Sequence, residues 1–379
     1  MNNRREFLKH LAVAGTVAAV ADARLFGQEP PKPDDAKLFA VYHREQLFRK
    51  KRPRTITIPD VGEYKVLKGD FHIHTLFSDG LVMPNQRVDE AVDNGLDVIA
   101  LTDHIEYRPY LTNGVLELAA NNDDHNTSYN LAKPTAEQKG VILVPGVEIT
   151  KHQFPPGHFN PLFIKDANPI AAASADWKQM LAVAADQGAF NLWNHPNAAS
   201  AENDGKTPMQ FFDTHEEARR KGHLHGIEVF GYGEYFTIAH DWAGERNLAP
   251  FANSDIHESE WDMYGYQSPL RPITLVFAKE RTFESVREAF FAGRTVGWAM
   301  NMILGCEPWV ENLFRACVEI KKSDAGLSLH NRSDIPCIIE ASGKTAELSP
   351  QATVKIGLAQ ALTITNWFVG MGKPLKIVP

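Results

Sequence analysis

Cysteine is scarce in this chain of 379 residues: Cys306, Cys317 and Cys337 are the only three, all late and none in a Cys-x-x-Cys pair. That excludes a cysteine-built zinc site and a disulfide-dense scaffold. One disulfide stays open, with buried small apolar thiols as the default. An excess of positive charge is also missing. The formal net charge of −8 excludes a broad basic surface for nucleic acid or anionic lipid. Long hydrophobic runs are absent. The longest is at residues 11–21, too short for the roughly 20 residues of a bilayer span, so no stable membrane insertion is expected. There is no Gly-x-Ser-x-Gly elbow, no Gly-rich phosphate loop and no repeat period.

What is present begins with an address. Arg4-Arg5-Glu6-Phe7-Leu8-Lys9 precedes the apolar run, and Ala21-Asp22-Ala23 follows as a small-x-small cleavage signal. The paired arginines look like a twin-arginine signal over residues 1–23, so the protein is expected to use that export machinery and to be periplasmic or otherwise exported. That route carries folded proteins, so a metal centre could be filled before export.

Residues 24–64 read as a linker and lead-in segment, with Pro and charge first and then a helical pattern at residues 36–51. From residue 65 the chain repeats one unit: helix, Gly stop, short apolar strand. Helices are expected near residues 83–94, 135–139, 175–187, 215–221 and 282–291. The intervening strands carry DVIALTDH, VILVPGVEIT, AFNLWNHP, GIEVFG and APFANSDIH. This alternation predicts a parallel α/β fold over residues 65–299. Residues 310–379 change texture to short β segments with turns and predict a small antiparallel β domain, a sandwich by its strand pattern. Trp298, Trp309 and Trp367, in or shortly before this segment, offer a sugar platform or, by default, core packing.

The chemistry lies at the strand ends. His72 and His74 are two apart, so on a strand both face one side and can grip one cation. Asp79 follows in a Ser-Asp-Gly turn. Asp103-His104, Glu148, His195, and Asp255 with His257 each follow another apolar run. In a barrel of parallel strands these C-terminal ends converge. Burying so many ionisable groups without a cation would be prohibitive. Asp103 is a candidate to orient a ligand or add one, and Ser78, Thr102 and Ser254 to hydrogen-bond ligating carboxylates. The pair His223 and His225 stands at the wrong end of its strand for this site.

The segments FHIHTLFSDG, GLDVIALTDH, VPGVEIT, WNHP and NSDIH, in this order over residues 68–297, resemble the polymerase and histidinol phosphatase (PHP) domain family. EAFFAGRTVG is similar as well. The resemblance implies a distorted seven-stranded β/α barrel holding two or three divalent metal ions: zinc, manganese or iron. It implies that His72, His74 and Asp255 hold the first metal and that Glu148 bridges the first and second. His158 and His195 would complete the second, with His158 preferred over His152 because it directly precedes an apolar run. Asp79, His104 and His257 would hold the third. The export signal and C-terminal β extension are loosely similar to a branch of exported carbaryl-type hydrolases.

The function expected is a metal-dependent hydrolase, foremost a phosphoesterase that attacks a small phosphate ester with a metal-activated hydroxide. Its partner is then a small-molecule ester rather than nucleic acid. No separate catalytic acid is assigned. Lys151 and Arg271 are candidates to meet the substrate anion. Two alternatives are a metallohydrolase of carboxylic ester, amide or carbamate bonds, and a non-catalytic metal- or glycan-binding protein.

Overall fold

The computed structural model describes residues 54–112, 123–150, 156–197, 209–264 and 271–379. The expected signal, linker and helix at residues 36–51, together with Lys151 and His152, lie outside the described residues. Pro53–Pro379 form one compact unit. No helix among the described residues is long and apolar enough to cross a membrane.

The first half follows the alternation read in the sequence. Strand β1 (Lys65–Asp70) leads to helix α1 (Pro84–Asp93) and β2 (Val98–Leu101). Helix α2 (Thr127–Lys139) leads to β3 (Ile142–Pro145) and β4 (Phe159–Leu162). Helix α3 (Trp177–Asp186), β5 (Phe190–Trp193), α4 (Asp213–Arg220) and β6 (Gly226–Gly231) continue it. Then come β7 (Glu234–Tyr235), α5 (Thr237–Arg246), β8 (Ala249–Ala252), β9 (Ile273–Ala278) and α6 (Phe283–Phe291). Helix α2 starts eight residues before its expected start, and α5 was not expected: its sequence TIAHDWAGER carries no single apolar stripe and contains Gly244.

Strands β1, β2 and β3 pair in parallel, as do β5, β6 and β8, and every residue of β2, β5, β6 and β8 is buried. Continuous burial explains why these strands read as unbroken apolar runs. They belong to two different sheets. Isolated bridges link the sheets, Gly146 with Leu162 and Ile149 with Phe159 at one seam and Ile73 with Ile256 at the other. The ladders themselves do not close into the expected seven-stranded barrel.

The second half differs more from expectation. Strands β10 (Thr295–Ala299) and β11 (Met302–Gly305) are followed by helix α7 (Glu307–Cys317), where strand texture was expected from residue 310. Next come β12 (Val318–Ser323), β13 (Gly326–Asn331), β14 (Cys337–Ala341), β15 (Lys344–Leu348), β16 (Thr353–Ile356), β17 (Leu362–Phe368) and β18 (Pro374–Ile377). Strands β12, β13 and β16 form an antiparallel sheet. The others extend the main sheet, in the order β15-β14-β17-β11-β10-β9-β1-β2-β3 with β18 beside β17. The boundary expected between residues 299 and 310 is therefore crossed by a continuous ladder, closed by the parallel pair β11–β17. One apolar cluster runs from Ile73 through Phe277 to Trp367, so the C-terminal strands complete the core rather than stand apart. Trp298 and Trp367 are buried, and Trp309 stacks on Phe277 at 5.1 Å, which is core packing rather than a sugar platform. Cys317 and Cys337 are buried free thiols and Cys306 is a half-buried one.

Helix α4 carries a pH-sensitive contact. His215 Nε2 lies 2.7 Å from the Pro156 carbonyl, and its Nδ1 accepts the Phe212 N–H at 3.3 Å. The ring stacks on Trp193 at 3.9 Å. Neutral imidazole satisfies both partners; the cation would lose one. Burial pushes its pKa down to about 4. The folded value is below the unfolded value, so this contribution is complete above the unfolded pKa and fades as pH falls toward 4. Stability is expected to drop by up to about 2 kcal/mol through this residue between pH 7 and pH 5. Urea unfolding at the two pH values measures it: His215→Gln should shallow the slope, and an unchanged slope would reject the assignment.

Candidate metal centre

Strand alternation sets the first pair of ligand candidates. Phe71 and Ile73 point into apolar clusters, with Phe71 edge-on to Phe290 at 4.7 Å. His72 and His74 therefore face the other side, both fully buried. The bridge from Ile73 to Ile256 sets Asp255 and His257 beside them, and a parallel bridge joins His104 to Glu148. Asn194 N–H donates to the His158 carbonyl at 3.0 Å, which sets His158 alongside the strand that delivers His195.

Glu148 is the centre of the arrangement. Its Oε2 lies 3.3 Å from His72 Nε2, 3.2 Å from His74 Nε2 and 3.0 Å from His104 Nδ1. Its Oε1 lies 3.0 Å from His158 Nδ1 and 3.5 Å from His195 Nε2. Asp255 Oδ1 is 3.1 Å from both His72 Nε2 and His74 Nε2. Asp79 Oδ2 is 3.5 Å from His104 Nε2 and 3.3 Å from His257 Nε2. The structure thus gathers His72, His74, Asp79, His104, Glu148, His158, His195, Asp255 and His257 into one cluster.

Three subsets offer donor atoms that lie within 4.8 Å of one another: His74, Asp79, His104 and His257; His72, Glu148 and His195; His72, His74 and Asp255. The chemistry of the set fits divalent cations, since imidazole and carboxylate are the ligands that zinc, iron and manganese accept. So do the atoms left over. Asp79 Oδ1 and His195 Nδ1 are buried without a hydrogen-bond partner, and His74 Nε2 and Asp255 Oδ1 face each other at 3.1 Å without hydrogen-bond geometry. Leaving such atoms unpaired costs about 1–3 kcal/mol each, which a cation would relieve.

The electrostatics agree. Burial alone would raise the Glu148 carboxyl, but His104 and His72 hold it well below the usual carboxylate range. Asp79 and Asp255 are likewise held low against burial, by His104 and His257 for the first and by His72 and His74 for the second. His104 is pushed up to about 10: burial opposes the shift, and Glu148 and Asp79 overcome it. A cation bound by a histidine so raised would have to displace its proton.

Backbone strain accompanies the site. Asp255 sits at φ 53° and His195 at φ 21°, a region uncommon for non-glycine residues and frequent at functional sites. Each is pinned there: Asp255 N–H donates to the His72 carbonyl at 3.0 Å, and His195 N–H to Glu228 Oε2 at 2.7 Å.

Two residues that build the site were not singled out in the sequence. Glu228, fully buried on β6, has its Oε1 2.9 Å from His72 Nδ1 and accepts Asn253 Nδ2 at 2.9 Å. With Nδ1–H given to Glu228, Nε2 is the His72 nitrogen left for a cation. Gly231 allows this, since a Cβ there would lie 2.8 Å from Glu228 Oε2. Arg87 of α1, also buried, donates to the carbonyls of His74 at 2.9 Å, His257 at 2.7 Å and Glu258 at 2.8 Å. It ties the segment after β1 to the segment after β8. A carboxylate inside the run GIEVFG was the available signal for the first; Arg87 gave none, because it sits in an ordinary polar helix.

The supporting residues proposed from sequence hold different partners. Asp103 accepts from Thr75 N–H at 2.7 Å and from Ser78 Oγ at 2.8 Å, shaping the turn that carries Asp79. Ser78 Oγ also lies 3.3 Å from His74 Nδ1. Thr102 Oγ1 accepts the Ile73 N–H, and Ser254 Oγ donates to Asp70 at 2.5 Å, so neither meets a ligand carboxylate. Arg271 is corrected: it is buried, with Nε 3.0 Å from Asp70 Oδ2, and its pairing is internal. His225 Nδ1 accepts the Asn191 N–H at 3.0 Å and takes no part in the cluster.

Losing the Glu228 charge is expected to weaken zinc binding by about 10–100-fold in Glu228→Gln. A zinc titration against a competing chelator reads this directly. Unchanged affinity would make Glu228 a mere packing group.

No protein-family model and no curated protein matches the chain. Among solved structures, a two-domain protein of Bacteroides vulgatus containing a predicted PHP-like metal-dependent phosphoesterase is 35% identical, with a TM-score of 0.79. The match covers 87% of this chain and 99% of that one. PsfC of Pseudomonas syringae is 18% identical, covering 62% and 92%, with a TM-score of 0.41. An amidohydrolase of Chromobacterium violaceum is 16% identical, covering 51% and 89%, with a TM-score of 0.36. The last two are too distant to argue from. The identity to the Bacteroides protein, sustained over almost its whole length, shows that this chain belongs to the PHP family.

Proposed function

We propose that the protein is a metal-dependent phosphoesterase that hydrolyses a small phosphate ester, with two or three divalent ions of zinc, manganese or iron held by the nine clustered residues. The observation that carries this is the cluster of buried histidines and carboxylates around Glu148, whose nitrogens and oxygens crowd together beyond what hydrogen bonds among them satisfy. When bound, divalent cations supply charge that polarises the ester and brings the pKa of water near neutrality. The chain's residues do the rest. Asp79 and Asp255 stay ionised because the histidines around them hold their carboxyls low. Glu228 and Ser78 fix the orientation of His72 and His74. The bridges at Gly146–Leu162 and Ile73–Ile256 support a ring of β1, β2, β3, β4, β5, β6 and β8, a seven-stranded barrel joined loosely at two seams. The arginine pair and apolar run at the N-terminus support an exported location, which cell fractionation with N-terminal sequencing of the mature chain would check.

Purified protein, stripped with chelator and reloaded with manganese or zinc, should hydrolyse p-nitrophenyl phosphate or its diester. It should lose that activity when stripped again. Turnover of p-nitrophenyl acetate with neither phosphate ester would favour a carboxylic ester or carbamate hydrolase. No turnover of any ester at full metal content would make it a binding protein.

A further inference from the structure

Strand β6 turns into β7 through two residues. Gly231 pairs with Glu234, leaving Tyr232 at φ 47° and Gly233 at φ 78°. Positive φ at both central positions is the pattern of a type I′ turn, which favours Asn, Asp or Gly at the first of them. Tyrosine gains nothing from that position. Its ring remains 58% exposed, so it adds little to the core. A bulky residue held in the left-handed region by its surroundings is a cost to the fold that function can explain.

The place it occupies gives the explanation. The Tyr232 ring stands edge-on to His257, with centroids 6.4 Å apart. His257 belongs to the subset with His74, Asp79 and His104. A second tyrosine, Tyr107, is 45% exposed and stands edge-on to His104 of the same subset at 6.0 Å. The hairpin is tied to the site from its other side as well, since Asn197, two residues after His195, donates to Glu234. Two exposed phenol rings thus border one group of candidate ligands. Aromatic faces and edges bordering these candidate ligands suit a flat, apolar substituent.

We infer that Tyr232, together with Tyr107, binds the organic part of the substrate, and that this part is a planar aromatic group: the natural substrate is an aryl or heteroaryl phosphate ester. This rests on the phosphoesterase reading for the phosphate end only. Tyr232 is a specificity residue. A flat ring packed on Tyr232 lowers KM, while an alkyl group of similar charge leaves the phenol unused.

The test uses binding, so that it does not depend on turnover. Phenylphosphonate and methylphosphonate are titrated calorimetrically into the manganese-loaded protein. The wild type should bind phenylphosphonate about tenfold more tightly than methylphosphonate, the size expected of one good aromatic contact. In Tyr232→Asn the preference should fall to near unity, methylphosphonate affinity should be unchanged, and the Tm should not decrease, because Asn suits the turn. Tyr107→Ala should lower the same preference. A wild type without preference, or a preference that survives in Tyr232→Asn, overturns the inference. Equal loss for both probes with a lower Tm also overturns it, by giving Tyr232 a structural role. A protein that shows the preference yet hydrolyses no phosphate ester loses the function proposed above and keeps this assignment of the aromatic group.

Discussion

Replacing Glu148 with glutamine should lower kcat/KM for a phosphate ester by about 1,000-fold, the upper range for removing one charged stabiliser from a preorganised site. No other residue of the cluster touches so many. Its two oxygens lie within 3.5 Å of five histidines: His72, His74, His104, His158 and His195. Glutamine keeps the shape and can still accept from Asn194 Nδ2, now 3.0 Å from Oε1, so the fold should survive. It carries no negative charge to offset that of the cations these residues would hold. Metal analysis after dialysis should therefore show fewer bound ions per chain than in wild type, with the far-ultraviolet circular dichroism unchanged. Full activity and full metal content in this variant would remove Glu148 from the centre and with it the whole assignment. A sharper check follows from the proton balance. Histidines raised by the neighbouring carboxylates hold protons that metal must displace, so zinc affinity should increase with pH in wild type and increase less steeply in Glu148→Gln, where the carboxylate that raises them is gone.

The parts of this site that could be read in the sequence are those governed by local rules. His72 and His74 were legible because two-residue spacing on a strand puts both on one face. Glu148, His195 and Asp255 were legible because each ends an apolar run, and the ends of parallel strands meet. His158 was harder, with His152 nearby, and its position just before β4 distinguished it. Glu228 is hard to read locally because one carboxylate in a short strand reads as a solvent-facing residue; only the tertiary structure reveals that β6 is buried on both faces. Arg87 was invisible for a similar reason. A helix of the composition PNQRVDEAVD reads as surface, while its arginine in fact reaches four backbone carbonyls beside the site. The C-terminal strands were recognised as strands, but not their partners. Pairing of β11 with β17 joins residues about sixty positions apart, and nothing in local periodicity encodes that choice.

Arg271 tests this contrast between local and tertiary information most sharply, because the sequence suggests a substrate contact and the structure an internal one. Arg271 and Asp70 are both buried, and Asp70 also accepts Ser254 Oγ at 2.5 Å and Ser254 N–H at 3.2 Å. The pair thereby fixes the segment that delivers Asp255 against the strand that delivers His72. In Arg271→Ala the Asp70 carboxylate would stay buried without its cation. Breaking such a pair from one side costs about 3–5 kcal/mol. For a unit of this size the Tm should fall by about 5 °C. The double variant Asp70→Leu with Arg271→Met should recover much of that loss, since apolar pairs of similar volume often replace buried ion pairs without penalty. A residue that met the substrate anion would behave in the opposite way. Its alanine variant would keep the Tm and raise KM, and adding the second substitution would rescue nothing. Thermal unfolding of the metal-free single and double variants, set beside KM at a temperature where all remain folded, separates the two. The geometry at Asp70 requires the first pattern: a large loss of stability in the single variant, its recovery in the double, and a KM for phosphate esters close to that of the wild type.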